Sequence, residues 1–227
     1  MAARKFGTVV VPVRATALAN ARAPAVNMTE GRGSRGRAGE CRVRIIGGAW
    51  RSRVLRFPAV QDLRPTSDRV RETLFNWLGQ DLTGKTCLDL FAGSGALGFE
   101  ALSRHAKSVV MAESVAAVRA SLSFNAATLH AGARLKIAAG DALQFLRTCE
   151  DRYDVIFCDP PFREDWFARL WPLLEKVLSD GGVVYAESGR TLALPPGWQT
   201  LKAGKTGQVA YQLLGRQSLQ QSEAHHG

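Results

Sequence analysis

No apolar run in this 227-residue chain approaches the ~18 residues that a membrane-crossing helix needs, so no membrane partner is expected. Cysteine is scarce. Cys41, Cys87, Cys149 and Cys158 show no C-x-x-C spacing, and two of them fall inside candidate core strands. That pattern excludes a disulfide framework and a cysteine-built zinc site, and it fits reduced thiols packed as small hydrophobes in a cytoplasmic protein. The histidines, His105, His130, His225 and His226, have no ligand spacing, so no metal is expected. Internal repeats are absent, which excludes a solenoid.

Acidic residues are almost missing from the amino-terminal quarter. Residues 1–57 hold 12 Arg/Lys against 2 acids, whereas residues 58–227 hold 18 of each. The whole net charge of +10 therefore sits on one arm. A basic arm on a neutral body is the electrostatic footprint of a protein that meets polyphosphate, although a solvated basic tail has the same composition.

What remains is enough for one ordinary domain, with 46% hydrophobic residues to build its core. Three segments are expected: a disordered basic extension over 1–40, a domain over 41–216 and a polar tail over 217–227. The first 26 residues, Arg-bearing and without acids, have the flavour of a transit peptide, and a start at Met28 is an alternative. Residues 42–57 alternate arginines with Val43, Ile45, Val54, Leu55 and Phe57 around Gly47-Gly48, the pattern of a β-hairpin with one basic and one apolar face. With Trp50 beside it, such a face suits an RNA backbone and an unpaired base; a charged edge that prevents aggregation reads the same way.

Thr66 or Ser67 caps a helix whose apolar stripe is Val70, Leu74, Phe75 and Leu78, with Arg69, Arg71 and Glu72 on the opposite face. Beyond it, strands at 86–91, 108–112, 135–139, 155–159 and 183–187 alternate with helices at 96–104, 115–129, 142–147 and 164–178. Such alternation predicts an α/β fold, a mostly parallel sheet with helices on both faces. Two further extended runs, 199–203 and 208–214, suit an antiparallel hairpin at its edge.

The candidate chemistry lies at the carboxyl ends of these strands, where open α/β sheets bind ligands. The first strand runs into Asp89-Leu90-Phe91-Ala92-Gly93-Ser94-Gly95-Ala96-Leu97-Gly98, and Gly93-x-Gly95-x-x-Gly98 formally matches a dinucleotide loop. Asp89 argues against that ligand, because an anion there repels a pyrophosphate. Two unit charges ~4 Å apart interact by about 4 kcal/mol at an effective dielectric of 20. The same anion attracts the amino group of S-adenosylmethionine, whose carboxylate can take the amides around Gly93, Ser94 and Gly95. Glu113 ends the next strand, where an acid can hold ribose hydroxyls, and Asp141-Ala142 ends the third, where Asp141 can meet an adenine amino group. Caps and surface charges account for each acid separately.

Asp159-Pro160-Pro161-Phe162 ends the fourth strand. The Asp159 carboxylate and the Pro160 carbonyl can accept hydrogen bonds from an exocyclic amine, the prolines fix the backbone, and Phe162 offers a stacking face. The same four residues also form a good strand-ending turn.

The chain resembles the bacterial 16S ribosomal RNA (guanine-N2) methyltransferases of the D type over residues 44–214. The resemblance rests on Arg44-Ile45-Ile46-Gly47-Gly48-x-Trp50-Arg51, on the block from Leu63 to Leu78, on the glycine loop, on Asp159-Pro160-Pro161-Phe162 and on Gly207-Gln208-Val209-Ala210-Tyr211. It implies a Rossmann-like, S-adenosylmethionine-dependent methyltransferase with a seven-stranded sheet, an antiparallel C-terminal strand and a small N-terminal hairpin. The implied substrate is the N2 of guanine 966 in 16S rRNA, in a 30S subunit or a late assembly intermediate, and the enzyme is expected to be a monomer. On this reading Asp159, Pro160, Pro161 and Phe162 are catalytic. Asp89, Gly93, Ser94, Gly95, Glu113, Ser114, Asp141 and Ala142 bind cofactor, and Arg51, Arg53, Arg64 and Arg69 bind RNA. The family often has a second acid where Ser114 stands, and the first 40 residues have no counterpart in it. An adenine-N6 methyltransferase acting on DNA or RNA uses the same clamp, and an RNA-binding assembly factor without turnover uses the same fold.

Overall fold

The computed structural model describes residues 39–60, 66–161 and 165–217. Residues 1–38 of the expected basic extension, Arg64, Phe162 and the polar tail beyond residue 217 lie outside these. The expected extension ends one residue early, because Glu40 already opens β1 (Glu40–Arg44).

β1 pairs antiparallel with β2 (Val54–Pro58), from Glu40 opposite Pro58 to Arg44 opposite Val54. The two-residue period turns Val43, Leu55 and Phe57 inward, while Arg42, Arg44, Val54 and Arg56 stay exposed. Helix α1 (Asp68–Trp77) begins where Ser67 accepts the Val70 amide on its hydroxyl, and it buries Val70, Leu74 and Phe75. Arg71 departs from expectation. It sits on the face read as polar, yet it is fully buried.

Seven strands form the main sheet: β3 (Thr86–Asp89), β4 (Ser108–Glu113), β5 (Leu135–Ala139), β6 (Tyr153–Cys158), β7 (Leu178–Ser188), β8 (Trp198–Thr206) and β9 (Val209–Arg216). Their order is β5-β4-β3-β6-β7-β9-β8. β3 to β7 pair in parallel, whereas β9 runs antiparallel between β7 and β8, so β8 is the edge strand. The connecting helices are α2 (Ala96–Ser103), α3 (Ala116–Thr128), α4 (Ala142–Thr148) and α5 (Trp166–Val177).

Successive residues of a strand face opposite layers. On β6, Val155 and Phe157 join one core with Leu74, Phe75, Phe99, Leu102 and Leu122 from α1, α2 and α3. Ile156 and Cys158 join the other with Leu143, Leu146, Leu170 and Leu174 from α4 and α5. A central strand buried on both faces has to read as a continuous apolar run, which is how 155–158 reads. This is the expected α/β, Rossmann-like architecture. Among the described residues no helix is long and apolar enough to cross a membrane.

Candidate functional site

The chain leaves β3 toward β4 on one side and later returns to lay β6 on the other. The sheet's topological switch point therefore falls between β3 and β6, where this class of fold opens a crevice. Asp89 ends β3 opposite Phe157 of β6, and Asp159 follows two residues beyond that partner. The two carboxylates expected to serve cofactor and substrate thus stand at neighbouring strand tips.

Asp89 is 3% exposed and accepts the Gly98 amide on Oδ2 at 3.0 Å. Burial pushes its carboxyl up to about 7, opposed by the Gly98 hydrogen bond and helped by the charge of Glu113. Asp159 is partly buried, and Thr66 donates to its Oδ2 at 3.4 Å. Its carboxyl lies well above the usual carboxylate range, first through burial and then through the negative charges of Glu187 and Asp89. Among the described residues, the charges acting on this pair of acids are other carboxylates, which favours a cation beside them. Pro160 is buried and Pro161 exposed.

The glycine loop follows Asp89 as expected, and Gly93 and Gly95 adopt positive φ of 50° and 77°. The loop consumes more of its own amides than its sequence suggests. Gly93 donates to Glu113 Oε2 at 3.0 Å, Gly95 to the Ala92 carbonyl at 2.7 Å, and Ala96 to the buried Ser94 hydroxyl at 3.3 Å. Tight turning at two left-handed glycines brings these groups together, leaving fewer donors for a ligand carboxylate.

Glu113 ties the loop to the tip of β4, since its other oxygen accepts the Val115 amide at 2.7 Å. Ser114 is exposed, and its carbonyl accepts Arg119 Nη1 at 2.6 Å. Asp141 caps α4, accepting the Gln144 amide at 2.9 Å, and Ala142 is buried as the first residue of that helix. Each acid has a structural duty and stands at a strand end. A carboxylate has several lone pairs, so one such bond leaves acceptor capacity for a ligand.

Glu187 was not among the expected site residues. It lies near the end of β7, one position past Ala186, whose partner on β6 is Cys158, the residue before Asp159. It is buried and accepts the Tyr185 hydroxyl at 2.7 Å. The signal available was its place at the tip of the fifth parallel strand, the position that singled out the other acids.

The hairpin is held to this body by a buried carboxylate. Glu100 on α2 accepts the amides of Ile46 at 2.8 Å and Gly47 at 2.7 Å, together with Arg71 Nη1 at 3.4 Å and Arg104 Nε at 2.8 Å. Asn125 of α3 accepts the Arg56 amide at 3.1 Å and donates to the Arg56 carbonyl at 2.8 Å, standing where a third strand would pair. Arg51, Arg53 and Arg69 are exposed, with Arg51 and Arg53 in the connection between the strands rather than on them. Trp50 packs partly buried against the core with the Arg134 guanidinium 5.5 Å from its ring centroid, so it is not presented as an open stacking platform. A cavity of about 480 Å³ lined by Gly47, Arg51, Glu72 and Arg104 lies at the C-terminal end of α2, away from the strand tips.

Residues 43–215 match the family model described as "Conserved hypothetical protein 95". The chain is 43% identical over 192 residues to ribosomal RNA small subunit methyltransferase D of Escherichia coli, covering 82% of this chain and 96% of that one. It is 41% identical over 178 residues to the Haemophilus influenzae protein of the same name, covering 75% and 92%. A solved structure described as the putative methyltransferase yhhF from Escherichia coli superposes with a TM-score of 0.71 at 43% identity, covering 78% of this chain and 99% of that one.

Proposed function

We propose, from the premise that the chain belongs to the Conserved hypothetical protein 95 family and with it to the small-subunit rRNA methyltransferases of the D type, that it methylates the N2 of a guanine in 16S rRNA using S-adenosylmethionine. The observation that carries this reading is the placement of Asp89 and Asp159 at adjacent strand tips across the switch point, Asp159 two residues beyond the Phe157 that pairs with Asp89. Conventional guanine 966 is the target, within a 30S particle or a late assembly intermediate, and the enzyme acts as a monomer.

The acids fit this cofactor. A buried Asp89 acted on by the charge of Glu113 gains from a cationic amine and loses from a pyrophosphate. Asp89 would hold the cofactor's amino group, with Gly93, Ser94 and Gly95 beside it. Glu113 and Ser114 would meet the ribose, and Asp141 and Ala142 the adenine. When bound, the cofactor supplies a sulfonium methyl to a nucleophile, and the sulfur keeps the electron pair of the breaking bond.

A guanine N2 lone pair is delocalised into the ring. Hydrogen bonds from that amine to Asp159 and the Pro160 carbonyl localise the pair and aim it, so positioning and electrostatics supply the catalysis. Phe162 would hold a base drawn out of its stack. Arg51, Arg53, Arg64 and Arg69 would contact phosphates of the RNA. The hairpin ion pairs Arg42–Glu40, Arg56–Glu40 and Arg44–Asp68 are exposed enough for phosphates to exchange with them, since such pairs hold by ~0–1 kcal/mol.

The test is tritiated methyl transfer to 30S particles lacking the modification, with duplex DNA alongside, followed by location of the labelled base. Label on a guanine N2 of 16S rRNA, abolished by Asp159→Ala with cofactor binding retained, supports the reading. Label on adenine N6, or normal turnover by the variant, sinks it.

A further inference from the structure

Asp159 and Glu187 each follow one residue after the paired Cys158 and Ala186, so they stand side by side at strands ~4.8 Å apart. Their surroundings differ. Glu187 is 5% exposed and accepts the Tyr185 hydroxyl at 2.7 Å, and the nearby Thr66 hydroxyl favours its ionised form. Asp159 is the more open of the two, and its one donor among the described residues is the same Thr66 hydroxyl, at 3.4 Å. A hydroxyl carries a single proton, so Thr66 cannot donate to two ionised carboxylates at once. It serves both when one is protonated, donating to the ionised acid and accepting from the other. Glu187, with Tyr185 as its second donor, is the better-stabilised anion. Asp159 is then the acid that gains a proton.

We propose that Glu187, held by Tyr185 beside Asp159, is a positioning residue whose negative charge makes Asp159 the proton acceptor of the site. This rests on the reading that Asp159 receives the substrate amine. A nitrogen that has gained a methyl carries one hydrogen too many and a positive charge. One N–H bond breaks, its electron pair stays on nitrogen, and the proton passes to an Asp159 oxygen. Without Glu187 nearby, Asp159 would be a weaker base. Among the described residues, the other titratable groups acting on the pair are Asp89 from β3, Cys158 before Asp159 on β6, Tyr185 on β7, and Tyr211 from β9, which acts on Tyr185. Asp89 adds negative charge of the same sign and stays constant in the comparisons below.

The experiment follows the Asp159 carboxyl by ¹³C NMR in the cofactor-free protein across pH, in wild type, Glu187→Gln, Thr66→Val and Thr66→Ser. With Glu187→Gln the Asp159 midpoint is expected to fall by about one unit or more, since a like charge is removed. The acidic limb of the single-turnover rate should move down by the same amount, with cofactor affinity unchanged. Thr66→Val, which removes the hydroxyl that donates to Asp159, is expected to raise the midpoint, and Thr66→Ser to restore it. An Asp159 midpoint unmoved by Glu187→Gln overturns the proposal. Should that variant fail to fold, an unmoved midpoint in Thr66→Val does so instead. Asp159→Asn separates the two layers of argument: normal methyl transfer by that variant removes the underlying reading, whereas loss of transfer with an unmoved midpoint removes only the role of Glu187.

Discussion

Gly47 gives its backbone amide to the Glu100 carboxylate at 2.7 Å, and this bond fixes the hairpin to the C-terminal half of α2. Glu100 is wholly buried, as is Arg71, and Arg104 is nearly so. Removing the shared carboxylate leaves two amides and the buried Arg104 Nε without their acceptor, while Arg71 keeps Asp68 and the Arg44 carbonyl. Glu100→Ala is therefore expected to lower the unfolding free energy by roughly 3–5 kcal/mol. Urea denaturation measures this directly, and a loss below ~1 kcal/mol would mean that apolar packing alone docks the hairpin.

Cofactor affinity should depend on pH through Asp89. In the free protein its carboxyl is raised to about 7 by burial, so its contribution to folding is most favourable below the unfolded value and is lost as pH rises through about 7. A bound ammonium group reverses that preference and favours the ionised form. Binding of S-adenosylmethionine should therefore release a proton near neutrality and weaken up to tenfold for each pH unit below about 7. Calorimetry in two buffers of different ionisation enthalpy counts the proton, and Asp89→Asn should flatten the pH dependence.

Gly95→Ala tests the loop. At φ 77° a side chain is strained, and a Cβ there would lie 2.7 Å from the Phe99 ring and from Leu122. A stability loss of about 1–3 kcal/mol is expected, together with weakened cofactor binding. Wild-type melting temperature and affinity in this variant would show that the loop tolerates another conformation.

Arg51→Ala addresses the RNA face. If this exposed side chain meets a phosphate, the variant should bind rRNA more weakly and lower the slope of log affinity against log salt by about 1. Cofactor affinity should stay unchanged. An unaltered slope in filter binding would place the phosphate contacts elsewhere.

Much of the fold was legible because parallel strands and amphipathic helices write their burial into local periodicity. The apolar run before Asp159 and the glycine loop after Asp89 mark two acids as strand-tip residues by amino-acid order alone. Glu187 was harder to read: its significance comes from lying beside Asp159 on a parallel strand, and periodicity along β7 carries no record of β6. Arg71 was misread for a related reason. An arginine on a helix looks solvent-facing unless its acceptor is known, and Glu100 lies 29 residues away. Trp50 read as a base platform, but the core and Arg134 occupy its faces.

Asn125 has one more consequence. By meeting both polar groups of Arg56, its side-chain amide stops the two-stranded ribbon from growing on that margin. A foreign strand that sought to extend the ribbon there would first have to expel a buried carboxamide, so the arm keeps its arginines available while resisting edge-to-edge association. The same two bonds hold β2 to a single alignment along α3, because a slip of one residue would turn Leu55 and Phe57 out into water.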